Sequence, residues 1–188
     1  MSTYDKILKL TDTLIQQRGF LGFSYADLEK GIGIRKASIH HYFPSKNDLG
    51  MAYCEYKIGV FGMIETDLLC IPPGALRLRA YLDAFKECAS RGEMCGVYAM
   101  LSDCHQFSPE LQKAVSHLAQ NEMRILEDVL AAGQNVGEIS CVVPPDKLAI
   151  IVCSALKGAL MINQMPPHEA YADAVNAIML MLDTRNGS

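Results

Sequence analysis

The sequence predicts an all-α protein in which a small N-terminal group of three helices precedes a larger helical domain, with about nine helices in all. Half of the 188 residues are hydrophobic and a fifth are charged, a composition that can bury a substantial core. Leu, Ile, Ala and Met are prominent, and no long segment alternates apolar with polar residues, so helices packed on helices are favoured. Residues 138–143 resemble a strand, but we expect a loop there because the segment is short and has no partner. We expect two domains, residues 1–46 and 47–188.

Capping residues and a proline delimit the N-terminal helices. Ser24 with Asp27, and Ser45 with Asp48, have the spacing of capping pairs that begin a helix. Pro44 ends the third helix because it lacks a backbone donor and clashes one turn back. The nine predicted helices cover residues 3–18, 25–30, 35–42, 45–69, 75–91, 96–103, 109–132, 146–164 and 168–182.

Beyond residue 69, glycines and prolines separate the predicted helices. Residues 72–74, Pro-Pro-Gly, end the fourth helix. Gly92 is the next strong break, so one continuous helix is expected over 75–91. Gly133 is expected to end the long helix that begins near Pro109.

The charge distribution indicates contact with a polyanion at one end of the chain. The net charge is −4. Residues 1–50 contain seven Lys/Arg against five Asp/Glu, a balance of +2, so the remainder carries −6. A mildly basic N-terminal part, residues 1–50, followed by an acidic remainder is typical of a protein that binds nucleic acid through its N-terminal part.

Cysteine spacing and hydropathy exclude several classes. The seven cysteines are odd in number and include no Cys-x-x-Cys pair, which argues against a disulfide framework and a zinc ribbon. No apolar stretch approaches the roughly 20 residues needed to span a bilayer. Asp5, Lys6 and Lys9 stand where a signal peptide needs an apolar core, so a cytoplasmic location without membrane contact is expected.

Residues 25–42 have the pattern of a helix-turn-helix. Two short helices are joined by a glycine turn, and Ile34 and Ile39 of the second part can face inward. The opposite face is polar and aromatic, a surface that can enter the ~12 Å major groove of B-DNA. An ordinary solvated basic helix explains the same pattern. The outward-facing residues are Arg35, Lys36, Ser38, His40, His41 and Tyr42.

The run FLGFSYADLEKGIGIRKASIHHYFPSKNDL, residues 20–49, resembles the DNA-binding domain of the TetR family of repressors. The shared features are a Gly-Phe turn, a capped helix, a glycine turn, a recognition helix that ends in aromatic residues, and Ser-Lys-x-x-Leu. The similarity covers about residues 3–55. It implies a repressor that binds double-stranded operator DNA as a homodimer and releases it when a small-molecule inducer binds the C-terminal helices.

The resemblance also implies roles for individual residues. Phosphate contacts are expected where helix two and helix four begin, and base contacts along the recognition helix. The phosphate positions are Ser24, Tyr25 and Lys46, and the groove-facing positions are Lys36, Ser38, His40 and Tyr42. Arg35 and His41 complete the candidate DNA-binding set.

Three positions depart from the family pattern. His40 replaces a usual tyrosine, and Arg35 replaces a small capping residue. Both lie on the exposed face, so they affect which bases are read and leave the fold unchanged. Glu29 lies where the family commonly has a small residue in helix two, and we expect its carboxylate to point to solvent.

The C-terminal helices are candidates for dimerisation and for sensing. The apolar residues of 146–182 are too numerous to leave exposed, so they either form a dimer interface or complete an intramolecular core. Flexible methionine and aromatic side chains could line an adaptable ligand pocket, although such side chains more often belong to the hydrophobic core. The candidates are Phe61, Tyr98, Met100 and Met123. The apolar residues in question are Leu148, Ile151, Val152, Ala155, Leu156, Ala159, Leu160, Ile162, Ala174, Ala177, Ile178, Leu180, Met181 and Leu182.

Two cysteines are candidate sensor thiols. Cys95 precedes Gly96 at a predicted helix start, where unpaired amides lower a thiol pKa, and Cys104 is next to His105. A buried, inert thiol fits the same positions. The rival classes are a small all-helical thiol-based redox protein and a metal sensor with Cys95, Cys104, His105 and His117 as ligands. The spacing fits no closed metal site, and no catalytic set is present, so neither enzyme activity nor a cofactor is expected.

Overall fold

The computed structural model describes residues 2–182, and in that range the chain forms ten α-helices, one 3-10 helix at Cys104–Gln106 and no strand. The all-α fold class is confirmed, and residues 138–143 form a loop apart from one isolated bridge at Ile139. No helix in this part of the chain has the length and hydropathy required to cross a bilayer. The helices are α1 (Thr3–Arg18), α2 (Tyr25–Ile32), α3 (Lys36–Tyr42), α4 (Lys46–Leu69), α5 (Ala75–Asp83), α6 (Lys86–Ser90), α7 (Gly96–Asp103), α8 (Pro109–Asn135), α9 (Pro145–Ile162) and α10 (Ala170–Leu182).

Both predicted capping pairs are confirmed. The main-chain N–H and the hydroxyl of Ser24 each donate to Oδ2 of Asp27 at 2.8 Å. The main-chain hydrogen bond from Ser24, followed by that from its hydroxyl, holds the pKa of Asp27 below its usual value. The N–H and hydroxyl of Ser45 donate to Asp48 Oδ2 at 2.9 and 2.7 Å. These pairs satisfy main-chain groups where α2 and α4 begin.

The continuous helix predicted over residues 75–91 is wrong, and its division into α5 and α6 raises the helix number from nine to ten in the described residues. The backbone leaves helical geometry at Phe85, where φ is −101° and ψ is 4°. The Phe85 ring is buried, with its centre 5.7 Å from that of Tyr81. Packing of this ring, which local sequence does not encode, accompanies the break.

The predicted helix end at Gly133 is also wrong, because α8 continues to Asn135. A Cβ atom at Gly133 would lie 2.3 Å from Cδ1 of Ile139. Glycine is required here by the close approach of the following loop, and this requirement is unrelated to helix termination.

The chain divides into two compact units. The first contains the described chain up to Gly59 together with Cys95–Ala119, and the second contains Val60–Met94 and the described chain from Gln120 onward. In the first unit α1 packs on α2 and α7, and α2 packs on α3. Its fully buried side chains include Ile7, Ile15, Leu28, Ile39, Leu49 and Tyr53.

A polar network joins α1 to α4 inside the first unit. The Tyr53 hydroxyl donates to Oδ1 of Asp12 at 2.9 Å, and the Lys57 ammonium donates to its Oδ2 at 3.2 Å. Burial, and then the nearby Asp12 charge, raises the pKa of Tyr53 well above its usual value. The loop between α1 and α2 is held separately, because the Leu21 N–H donates to Asp103 at 3.1 Å.

In the second unit α10 packs on α9, α5 and α6. A buried ion pair joins α8 to α9: the Lys157 ammonium donates to Glu122, and the two side chains are 3% and 2% exposed. The same ammonium lies 3.6 Å from the centre of the Phe85 ring. The Asn163 amide donates to the Ala89 carbonyl at 2.9 Å, so polar groups are satisfied within this core.

Each of the last two helices buries one apolar face and exposes another. On α9, Leu148, Val152, Leu156 and Leu160 are buried. The second face is exposed over both helices, and its large apolar residues are Ile150, Ile151, Met161, Ile162, Leu180 and Met181.

Candidate nucleic-acid interface

Helix α3 has the exposed polar face that the sequence predicts. Ile39 is fully buried and Phe43, directly after the helix, is 2% exposed, so these residues attach α3 to the first unit. The opposite side carries hydrogen-bonding and cationic groups that are exposed. The exposed residues are Arg35, Lys36, Ser38, His40, His41 and Tyr42.

Tyr25, assigned to phosphate by the resemblance, is 7% exposed and turned inward. Its hydroxyl lies 2.8 Å from the carbonyl oxygen of Phe43 and 2.7 Å from that of Ser45. The hydroxyl donates to both oxygens in a bifurcated hydrogen bond. Burial, followed by the charge of Asp48, raises the pKa of Tyr25 to about 12. The side chain therefore fixes the start of α2 against the end of α3 and the start of α4.

His40 is held in a defined orientation on the exposed face. Its ring centre lies 4.7 Å from that of Tyr25. Its Nδ1 lies 3.2 Å from the Pro44 carbonyl oxygen, and because a carbonyl only accepts, Nδ1 is the protonated donor. Nε2 is the ring nitrogen left for an outside partner.

Lys46 is also engaged inside the first unit. Its ammonium donates to the Phe23 carbonyl oxygen. It lies 4.4 Å from the centre of the Phe23 ring and 5.0 Å from that of Phe20. Burial lowers the pKa of Lys46, and the charges of Asp103 and Asp27 oppose that shift. In this arrangement the lysine holds the loop before α2.

The Glu29 side chain lies at the surface, and its carboxylate makes one hydrogen bond there. The residue is half-buried, and its Oε1 accepts a hydrogen bond from the main-chain N–H of Lys36 at 3.1 Å. Arg35 is the N-cap residue of α3, and its side chain makes no capping hydrogen bond. Two departures from the family pattern therefore lie at the start of the recognition helix. Arg35 is its N-cap residue, and Glu29 binds the main chain of the next residue.

The remaining candidates lie at the surface, together with one residue that no sequence pattern indicates. Ser24 is exposed. The ring centres of His41 and Tyr42 are 5.6 Å apart. Tyr4 of α1 places its ring 6.1 Å from Tyr42 and 5.1 Å from Phe43. Tyr4 precedes the apolar stripe of α1, and nothing in the local pattern links it to α3.

The six candidate sensor residues are divided between the two units. Cys95 is 5% exposed, at the N-cap of α7, and Met100 of the same unit is fully buried. Phe61 in the second unit is buried. The others are half-buried: Tyr98 and Cys104 in the first unit and Met123 in the second.

Two cavities within the second unit have other linings. One, of about 290 Å³, is bordered by the end of α4, by α5 and by α8, and its apolar lining includes Leu68 and Val129. Arg77 and Asp128 add charge to it. The other, of about 260 Å³, lies between α5 and α10 and includes Arg79.

The cysteines differ in their surroundings within the described residues. The seven cysteines, all within residues 2–182, form no disulfide. Burial, with the nearby charge of Glu55, raises the pKa of the Cys54 thiol to about 12. No group of three or more His, Cys, Asp or Glu side chains in this part of the chain comes together as a metal site.

A compact head with a short, exposed polar helix behind a tight glycine turn defines a helix-turn-helix protein, and comparisons with known proteins identify the family. Residues 7–52 match the family described as bacterial regulatory proteins, tetR family. Residues 74–179 match the tetracyclin repressor-like C-terminal domain. The chain belongs to the TetR family of transcriptional regulators.

Individual relatives agree with this assignment. The HTH-type transcriptional repressor NemR of Escherichia coli K12 is 26% identical over 137 residues, which cover 70% of this chain and 69% of NemR. The crystal structure of reduced E. coli NemR has a TM-score of 0.81 at 22% identity and covers 97% of this chain and 98% of that one.

Two further solved structures share the fold. A TetR-family regulator from Agrobacterium tumefaciens has a TM-score of 0.88 at 24% identity, covering 96% of this chain and 97% of that one. AibR, solved with isovaleryl coenzyme A and operator DNA, has a TM-score of 0.71 at 20% identity and covers 97% of this chain and 98% of that one.

Proposed function

We propose that this protein is a cytoplasmic repressor that binds operator DNA as a homodimer and leaves it when a small molecule binds the C-terminal domain. The observation that carries the proposal is the exposed polar face of α3. Buried residues such as Ile39 hold this helix in place on the first unit. The functional boundary falls near residue 46, with 1–46 reading DNA and 47–188 dimerising and sensing.

The DNA contacts divide by chemistry. Lys36, Ser38 and His40 have side chains that hydrogen-bond base edges in the major groove. Tyr42 belongs to the same groove-facing set, and Arg35, His41 and Ser24 border it and supply phosphate contacts. Tyr25 and Lys46 act indirectly, because their polar atoms are bonded to main-chain carbonyls within the head.

The experiment that tests DNA recognition is selection of duplexes from a random-sequence library by the full-length protein. We expect a two-fold symmetric sequence. Lys36→Ala should weaken binding to it about 5- to 150-fold, the cost of one base contact. Lys113→Ala, an exposed lysine on α8, is the matched control. Failure to enrich any sequence, or equal effects of the two substitutions, refutes the proposal.

Dimerisation is supported by the second apolar face of α9 and α10. Ile151 is 58% exposed and Leu180 is 69% exposed, and exposed large apolar residues concentrated on two helices are typical of an interface. A second copy of the same two helices gives a four-helix interface. Two heads are also needed because operator half-sites lie ~34 Å apart.

Charged substitutions test the dimer. Ile151→Glu and Leu180→Glu should each convert the protein to a monomer in sedimentation equilibrium, because each places a carboxylate in the apolar interface. Leu76→Glu, at an apolar residue of α5 that is 57% exposed, should leave the mass unchanged. A wild-type monomer, or variants that remain dimeric, contradicts this part of the proposal.

Release from DNA is a shift between two dimer states, which an inducer produces only by binding one state more tightly. The cavity of about 290 Å³ beside α8 supports a small, largely apolar inducer with one polar group, since Arg77 and Asp128 border its apolar lining. Thiol modification is the second route, for which Cys104 is half-buried and Cys95 is buried. Thermal stabilisation by candidate compounds, followed by loss of the selected duplex, identifies the inducer.

A further inference from the structure

The start of the recognition helix is held from outside that helix. Arg35 at its N-cap is extended, with φ −68° and ψ 144°, and provides no side-chain cap. Its carbonyl accepts from the N–H groups of Ser38 and Ile39 at 2.8 and 3.4 Å. The N–H of Lys36, the first helical residue, instead donates to Oε1 of Glu29 at 3.1 Å.

Glu29 bonds to both sides of the glycine turn. Its main-chain carbonyl accepts from the N–H of Gly33 at 2.9 Å. Gly33 is left-handed, with φ 76° and ψ 28°, and ends α2. The side chain of the same glutamate accepts from Lys36 on the far side of the turn, so one residue of α2 fixes where α2 stops and where α3 starts.

The carboxylate also lies beside cationic groups that the proposed function gives to DNA. Arg35 and Lys36 are exposed, and Glu29 puts a negative charge next to their main chain. A charge in this position weakens contacts with any phosphate, whatever the sequence. The hydrogen bond and the charge of Glu29 thus have different effects. The hydrogen bond orders the start of α3, whereas the charge lowers the affinity for DNA of any sequence.

We propose that Glu29 is a positioning residue for sequence recognition, and that it acts through its hydrogen bond to the Lys36 main chain. This inference rests on the proposed DNA-binding function. A recognition helix whose first turn is ordered before binding loses less entropy when it enters the groove. Binding to arbitrary DNA does not require that order, so the bond increases the ratio of operator affinity to non-specific affinity.

Two substitutions separate the bond from the charge. Glu29→Gln keeps an acceptor oxygen at the same reach and removes the charge. Glu29→Asp keeps the charge and shortens the reach by one methylene. Glu55→Gln and Glu55→Asp, at an exposed glutamate of α4 in the same unit, are the matched controls.

The measurement is the ratio of affinities for the duplex selected by the wild type and for a scrambled duplex of the same composition. We expect Glu29→Gln to keep the wild-type ratio within about twofold, even where both affinities rise together. Glu29→Asp should lower the ratio about 2- to 30-fold, the range for loss of a helix cap. A normal ratio in Glu29→Asp, or a loss in Glu29→Gln, overturns the proposal.

Amide hydrogen exchange at Lys36 gives a readout that needs no DNA. In the full-length protein this amide should exchange about tenfold or more slowly in wild type and Glu29→Gln than in Glu29→Asp, since a cap bond of this strength restrains opening. Equal exchange rates of the Lys36 amide in wild type, Glu29→Gln and Glu29→Asp would show that the Glu29 carboxylate does not restrain this amide. Should the wild type select no duplex, the DNA-binding proposal fails, whereas the exchange data still decide whether Glu29 positions α3.

Discussion

Replacing Lys157 with methionine should destabilise the protein by about 3–5 kcal/mol, because it leaves the Glu122 carboxylate buried without its cation. The two side chains are 3% and 2% exposed, so water cannot replace the lost partner. Methionine retains most of the lysine volume, and no large cavity contributes to the loss. The contact with the Phe85 ring, 3.6 Å from the ammonium, adds to the effect because a desolvated cation–π pair contributes about 2 kcal/mol.

Urea unfolding at one fixed protein concentration measures this loss. Glu122→Leu combined with Lys157→Met should recover most of the stability, since an apolar pair of similar volume has no desolvation cost. Lys147→Met, which breaks an exposed pair with Asp146, should change stability by less than about 0.5 kcal/mol. A Lys157→Met variant within about 1 kcal/mol of wild type refutes the reasoning.

Three further predictions concern other parts of the chain. Between pH 10 and 12 the unfolded chain ionises Tyr25 while the folded state keeps it protonated, so wild type loses stability across that range, and Tyr25→Phe should lose less in urea unfolding. Cys70 is exposed, so Cys70→Ser should remove the fastest phase of reaction with a disulfide reagent; a retained fast phase would locate the reactive thiol elsewhere. Gly133→Ala should cost about 1–2 kcal/mol through the clash with Ile139, whereas Gly62→Ala, in open space on α4, should be neutral or stabilising by thermal unfolding.

Much of the fold can be predicted from the sequence because many helix boundaries depend on residues that are close together in the chain. Ser24 with Asp27 carries its capping signal within four residues, so the start of α2 is predicted correctly. Helix α7, Gly96–Asp103, also has the predicted bounds. The helix break at Phe85 and the continuation of α8 past Gly133 are not predictable locally, because both depend on residues that pack there from other parts of the chain.

The site divides in the same way. Exposure along α3 follows from helical periodicity, so the outward position of Lys36 and Ser38 was predictable. The inward direction of Tyr25 and Lys46 was not, because each binds a carbonyl supplied by a turn more than ten residues away. Glu29 is the clearest case, since its partner lies across a turn whose geometry only the folded chain defines.

The hydrogen bond from His40 to Pro44 selects one tautomer of the imidazole. With the proton on Nδ1, the neutral ring presents a lone pair at Nε2. A base edge that meets this atom has to offer a donor, which in the major groove means the amino group of adenine or cytosine.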